Sequence, residues 1–308
     1  MQGYSLRIMW FGVLATLFAT GSALWAVGIH VFPGPKGLVL CWSAALWLAV
    51  CFIIRPQQSW AQRVLALGNG LLLLTLIALA GGLLSYWTTR LSPFPWADPV
   101  LYGADLMLGL DWQAAYKIYL RYPDIHLPMQ NLYLAIFEIP KVTILGLAIT
   151  GQETRIRDFI AVFSIALALT ISISFFLPAA TPLFYLIGES PPYIPATGAT
   201  YFSIMTELRS GAPMHVDLHE LYGLLTFPSF HAASAVIFAW AGWSLTYLRW
   251  PLVAVNIGML AATPLEGAHY FVDVIGGGLV ALAAISIVQS RSQQTNLRTS
   301  RTALFQST

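Results

Sequence analysis

Apolar residues run in long blocks along this chain, and charged residues gather in the segments between them. Eight blocks stand out, at about 7–31, 37–54, 64–87, 132–150, 159–177, 229–248, 251–262 and 268–288. A helix of about 20 apolar residues crosses the ~30 Å hydrocarbon core of a bilayer, so each block is predicted to be a transmembrane span. The seventh is short for that purpose, at about 12 residues. Its helix is expected to begin at or before Trp250 and to stop at Pro264, which leaves the corner from Glu266 to His269 near the membrane surface. The first block follows Arg7 and carries small residues at Ala23 and Ala26, the outline of a secretory signal. It is long for a signal core and reads as an uncleaved first span.

Composition strengthens this reading. Hydrophobic residues make up 57% of the 308 and charged residues 9%, against about 25% charged in ordinary soluble domains. The expected fold class is therefore all-α: a polytopic membrane helix bundle of about eight spans. Eleven tryptophans and thirteen tyrosines suit the aromatic belts of membrane interfaces. A net charge of +2 offers no basic field for nucleic acid. Cys41 and Cys51 share one block, separated by roughly 15 Å of helical rise, beyond disulfide reach; they read as packing residues.

The placement of lysine and arginine predicts topology. With the N-terminus inside, the inside segments carry Arg7, Arg55, Arg63, Arg155, Arg157, Arg249, Arg291, Arg298 and Arg301. The outside segments carry only Lys36, Arg90, Lys117, Arg121 and Arg209, spread over longer loops. Both termini are thus expected in the cytoplasm. On this count His231 opens the sixth block and His269 the eighth from the same, extracytoplasmic face.

The chain divides into a three-span segment (1–90), a membrane domain with two extracytoplasmic loops (91–290) and a flexible cytoplasmic tail (291–308). In the first loop, Asp98, Asp105, Asp111 and Asp124 stand among Trp, Leu and Tyr; its middle, 98–121, is predicted to be an amphipathic helix or helix pair lying on the membrane. The second loop opens with Pro178, Pro182, Pro191, Pro192 and Pro195, a density that resists regular helix and predicts a structured cap.

Candidate chemistry sits at two histidines. His269 and Asp273 are four apart and share a helix face, so the carboxylate can accept a hydrogen bond from one ring nitrogen and leave the other free to attack. Chance supplies His-x-x-x-Asp in about one chain of this composition in seven, so the spacing alone is weak. Its position at the start of a span, the adjoining Gly276–Gly277–Gly278 run that permits close helix approach, and His231 on the same face raise it. An imidazole held by a carboxylate beside a second histidine is equipment for nucleophilic phosphoryl or acyl transfer.

The block Phe227-Pro-Ser-Phe-His-Ala-Ala-Ser234, followed by Gly267-Ala-His-Tyr-Phe-Val-Asp-Val-Ile-Gly276, resembles the phosphatidic acid phosphatase type 2 superfamily. More narrowly it is similar to the branch holding inositol phosphorylceramide synthases and many bacterial relatives, as are the stretches 105–112 and 207–227. The resemblance covers roughly 95–288. It implies His269 as the nucleophile, Asp273 as its orienting partner, His231 as the proton donor and acceptor, and Ser229 with nearby backbone N–H groups as phosphate holders. It also implies a lipid phosphate or phospholipid substrate, no cofactor, and a bacterial plasma membrane. Two of the family's basic elements are missing: no lysine here has Arg-Pro at the Lys-x6-Arg-Pro spacing, Arg55-Pro56 falls on the predicted cytoplasmic side, and Thr263 stands where an arginine precedes the nucleophile by six. Their absence favours a transferase over a plain phosphatase and makes Arg209 the first candidate to neutralise phosphate.

Other polar groups are weighed beside these. Lys141 and Glu138 form an i,i+3 pair inside the fourth block, either internal glue or a proton or substrate contact. His215 and His219, four apart with Asp217 and Glu220 beside them, are a rival zinc site for a metal-dependent hydrolase, or loop hydrogen-bonding residues. Glu266 either tunes His269 or meets an acceptor hydroxyl. His30 and His126 read as interfacial residues without chemistry. A non-catalytic lipid-binding or transport protein that has kept the fold is the alternative from another class.

Overall fold

A computed structural model describes residues 6–53, 58–196, 200–218 and 221–305. Arg55, Pro56, His219 and Glu220 lie outside the described residues, so the rival zinc pair is described only at His215. The chain begins with helix α1 (Leu6–Ala26), strand β1 (Ile29–Phe32), α2 (Gly34–Ile53) and α3 (Ser59–Leu91). Two short helices follow, α4 (Asp98–Met107) and α5 (Trp112–Tyr119), then α6 (His126–Leu134), α7 (Ile139–Ile149) and α8 (Glu153–Phe176). The second half holds α9 (Pro182–Ile187), α10 (Thr200–Ser210), β2 (Met214–Asp217), α11 (Phe230–Gly242), α12 (Arg249–Glu266) and α13 (Phe271–Phe305).

Among the described residues, five helices are long and apolar enough to cross a membrane: α1, α2, α3, α8 and the first part of α13. A sixth crossing arises if the segment from Pro123 through α7, bent by 49°, counts as one. The bend falls at the short 3-10 turn Ala135–Phe137 and is followed by Pro140 near the start of α7, where a proline's missing N–H costs nothing. The two remaining blocks form α11, of 13 residues, and α12, of 18. α12 does not stop at Pro264 as the sequence predicted but continues through it to Glu266. Its polar residues turn inward on the helix itself: Asn256 donates to the Leu252 carbonyl and Thr263 to that of Met259. The Asn256 amide N–H and the Thr263 hydroxyl are thereby satisfied, while Asn256 Oδ1 stays buried without a partner.

α8 sits against α3, α11 and α13, and α11 packs on α12 and α13. Their shared core includes Ile144, Phe159, Phe163, Phe238, Met259 and Ala284. Phe159 and Phe163 meet Phe238, and Phe163 also meets Phe230 edge-on. Close contact between α11 and α13 depends on Gly277. A Cβ there would stand 2.2 Å from the Ser229 carbonyl oxygen, whereas one at Gly278 would meet nothing within 4 Å. At the first three helices Asn69 accepts from the indoles of Trp10 and Trp47, at 2.9 and 3.4 Å.

The fold is nearly, not wholly, helical. β1 and β2 pair in parallel, with Ile29 opposite Met214 and His30 opposite His215. The proline-rich loop, expected to be a structured cap that resists regular helix, contains α9, α10 and a strand bonded to the linker after α1. The segment 98–121 is a helix pair, as expected, but it does not merely lie on a surface: Asp98, Asp105, Trp112 and Tyr116 are buried. The Lys141–Glu138 pair, bonded at 2.7 Å, stays exposed beside the bend rather than inside the bundle. The backbone of the expected tail continues α13 as far as Phe305.

Candidate active site

Ser229 ends an extended segment and caps α11: its Oγ accepts from the Ala232 N–H at 3.3 Å. That cap sets His231 in the first turn of α11. On the facing helix, Ala268 adopts a left-handed φ of +48°, which turns the chain sharply between α12 and α13 and brings His269 back over the first turn of α13. Asp273 lies in that turn. Its Oδ2 meets His269 Nδ1 at 3.1 Å and also accepts the Tyr270 N–H at 2.9 Å. The second contact is half of a capping box, in which an acid in the first turn reaches back to the N–H at the helix start. One carboxylate therefore both starts α13 and holds the ring. The two blocks are tied through the backbone as well, since the Ser229 N–H donates to the Asp273 carbonyl at 2.9 Å.

His269 and Asp273 are buried, at 4% and 0% exposure. His231 lies beside them, linked to His269 through the Tyr133 ring that touches both sides of the group. Tyr133 of α6 completes the group. Its ring stacks on His231 with centroids 4.0 Å apart, and its hydroxyl lies 3.2 Å from Nδ1. A Cβ on Gly267 would touch the rings of both Tyr133 and His269, at 2.8 and 2.7 Å, so the three rings are neighbours. His231 Nε2 and Asp273 Oδ1 are buried and have no protein partner.

Two further carboxylates, both from α4, hold the segment after His269 from behind. Asp105 Oδ2 accepts the N–H of Phe271 at 2.9 Å, and Oδ1 that of Val272 at 2.8 Å. Burial pushes the Asp105 carboxyl above its ordinary range, and these two donors pull it back. Asp98 accepts the Tyr270 hydroxyl at 2.9 Å together with the N–H groups of Ala180 and Thr181. The sequence shows both aspartates, but nothing in it says that they face another helix's N-terminus.

The other expected residues fall outside this group. Ser229 is buried at 0% exposure with its hydroxyl engaged in the cap. Arg209, on α10, donates to the Phe94 carbonyl and lies over the Trp96 ring at 4.2 Å, with Nη1 buried and unpartnered. Glu266 turns away from His269: it accepts from the hydroxyls of Tyr119 and Tyr193 and from the Ala196 N–H at 3.0 Å. Burial and the Glu266 charge push both phenols up, which keeps them as donors. His126 packs between those two rings and is part of this second cluster rather than an interfacial bystander. Among the described residues no group of three or more His, Cys, Asp or Glu is set to hold a metal ion. His215 faces His30 across the strand pair.

A buried histidine–carboxylate pair thus lies beside a second histidine on a bundle of apolar helices. The family model for the PAP2 superfamily matches residues 100–287. The chain belongs to that superfamily. No curated protein and no solved structure matches it.

Proposed function

We propose that this protein is an integral membrane lipid phosphotransferase or phosphatase that works through a phosphohistidine at His269. The observation that carries the reading is the 3.1 Å contact between His269 Nδ1 and Asp273, with the His231 ring beside it. Asp273 fixes the tautomer, so His269 Nε2 carries the lone pair that attacks phosphorus. The N–P bond forms as the P–O bond to the donor alcohol breaks, and His231 delivers a proton to the departing oxygen. In the second half-reaction His231 takes the proton of the acceptor hydroxyl, that oxygen attacks phosphorus, and the N–P bond breaks. Tyr133 against Nδ1 supports His231 in holding Nε2 toward the reacting oxygens.

The donor is a lipid phosphate or phospholipid, and the acceptor an alcohol or water. The lack of the two basic elements favours transfer to an alcohol, in the manner of the inositol phosphorylceramide synthase branch. Ser229 with the N-terminus of α11, and Arg209 from the neighbouring loop, are the proposed anchors for the phosphate charge. We place eight spans with both termini cytoplasmic and the site at the extracytoplasmic face of a bacterial plasma membrane, on the distribution of lysine and arginine. The unit 91–290 carries the chemistry, with 1–90 as an N-terminal three-span segment.

Replacing His269 with Ala in the purified protein is expected to abolish release or transfer of phosphate from short-chain phosphatidic acid. Retained turnover would sink the mechanism. Wild-type activity should also persist in excess EDTA; loss that zinc restores would favour a metal-dependent hydrolase built on His215 and His219.

A further inference from the structure

The reaction assigned to His269 needs that ring held to a fraction of an ångström, yet the residue before it is strained. Ala268 has φ +48° and Thr181 has φ +148°, and they are the two non-glycine residues with positive φ among those described. Such conformations persist only where surrounding contacts hold them. Both lie on the backbone that α4 grips. Thr181 donates its own N–H to Asp98, and the three residues after His269 each give a hydrogen to a buried carboxylate.

We propose that Asp105, aided by Asp98, is a positioning residue for the nucleophile: from α4 it grips the first turn of α13 and so fixes where His269 stands relative to Asp273 and His231. Seven residues make two helical turns, so Asp98 and Asp105 project from one face of α4 toward one segment. Asp105 acts as a helix cap supplied from another helix. The first N–H groups of α13 have no partner within their own helix, and Tyr270, at its start, has no side-chain acceptor that could serve them. A serine or asparagine at that position would have capped α13 locally without burying a charge. The arrangement found instead ties the angle of α13's first turn to α4, and the Asp98–Tyr270 bond fixes the residue that joins His269 to α13. Asp273 is in the same turn, so rotation of that turn would open the His269–Asp273 contact.

The inference rests on His269 being the nucleophile, and the test separates the two claims. The full-length protein, in lipid nanodiscs with short-chain phosphatidic acid as donor, is assayed as wild type, His269→Ala, Asp105→Asn and Tyr270→Phe. Asparagine keeps the size of Asp105 but offers one acceptor oxygen where two N–H groups need one each. Phenylalanine removes only the hydroxyl that reaches Asp98. With Asp105→Asn, kcat should fall about 10-fold or more while KM stays within about two-fold, because only reacting geometry is lost. Tyr270→Phe should lower kcat by about three-fold or more with the same constant KM. The pre-steady-state rise of phosphoenzyme should slow by the same factors. A kcat within about two-fold of wild type for both folded variants, or a raised KM at constant kcat, would overturn the positioning role. Should Asp105→Asn fail to fold, Tyr270→Phe decides the matter alone. Full activity in His269→Ala would instead remove the nucleophile reading, and the positioning claim with it.

Discussion

His231 is held from one side only. Tyr133 stacks on it and meets Nδ1, while Nε2 is buried without a protein partner. The proton transfer proposed for His231 needs that asymmetry, with one nitrogen fixed and the other available. Tyr133→Phe preserves the stacking and deletes the hydroxyl, so it should lower kcat about five-fold, the equivalent of a hydrogen bond worth about 1 kcal/mol. Steady-state kinetics at constant folded fraction would check this. His231, His269 and Asp273 were legible in the sequence because they sit within short stretches, although His269 and Asp273 do not share a helix face as expected: His269 lies in the turn before α13, and Asp273, in its first turn, reaches back to it. Tyr133, Asp98 and Asp105 were not, because each reaches the site from a distant segment. Glu266 shows the opposite outcome. Three residues from His269 in sequence, it looked like part of the same chemistry, but it points to Tyr119 and Tyr193. Direction along a helix end decided that, and sequence proximity did not.

Between elements, the approach of α11 to α13 sets how far apart the two histidines stand. Gly277 lets the α11 backbone come that close, and its neighbour Gly278 faces open space. Gly277→Ala should therefore cost about 1–3 kcal/mol or more through overpacking and reduce activity, while Gly278→Ala should be neutral or gain up to about 1 kcal/mol from helix propensity. Thermal unfolding of the two variants in detergent distinguishes them. The glycine run was readable as a close contact, though not which glycine makes it. The block pattern was also a good guide to the long helices. It failed where tertiary contacts override local signals: Pro264 stays inside α12, and the proline-rich loop holds a strand. β2 is four residues long and exists because β1, far earlier in the chain, offers it a partner. An isolated pairing of that length is marginal, so the sequence carries little sign of it.

Across the whole molecule, contacts sort the connecting segments into two groups. Arg63 donates to the Ile149 carbonyl and Arg155 to that of Trp240, in segments assigned to the cytoplasm. Arg209 meets Phe94, Ala97 meets Pro178, and Gly28 meets Met214, in segments assigned to the outside, with the histidine pair at that same end. A cysteine at Ser210, in a chain with Cys41 and Cys51 replaced, should react with an impermeant thiol reagent in intact cells. Labelling only after lysis would invert the proposed orientation.

The proposed mechanism passes through one covalent species, a phosphohistidine at His269. The purified protein, quenched within the first turnover of a short-chain phosphatidic acid labelled in its phosphate, should carry an acid-labile, alkali-stable phosphoryl group. Peptide mapping should locate that group at His269, and the label should be absent from His269→Ala. Turnover of the wild-type protein with no label on any histidine, or with label on another residue, would contradict the account.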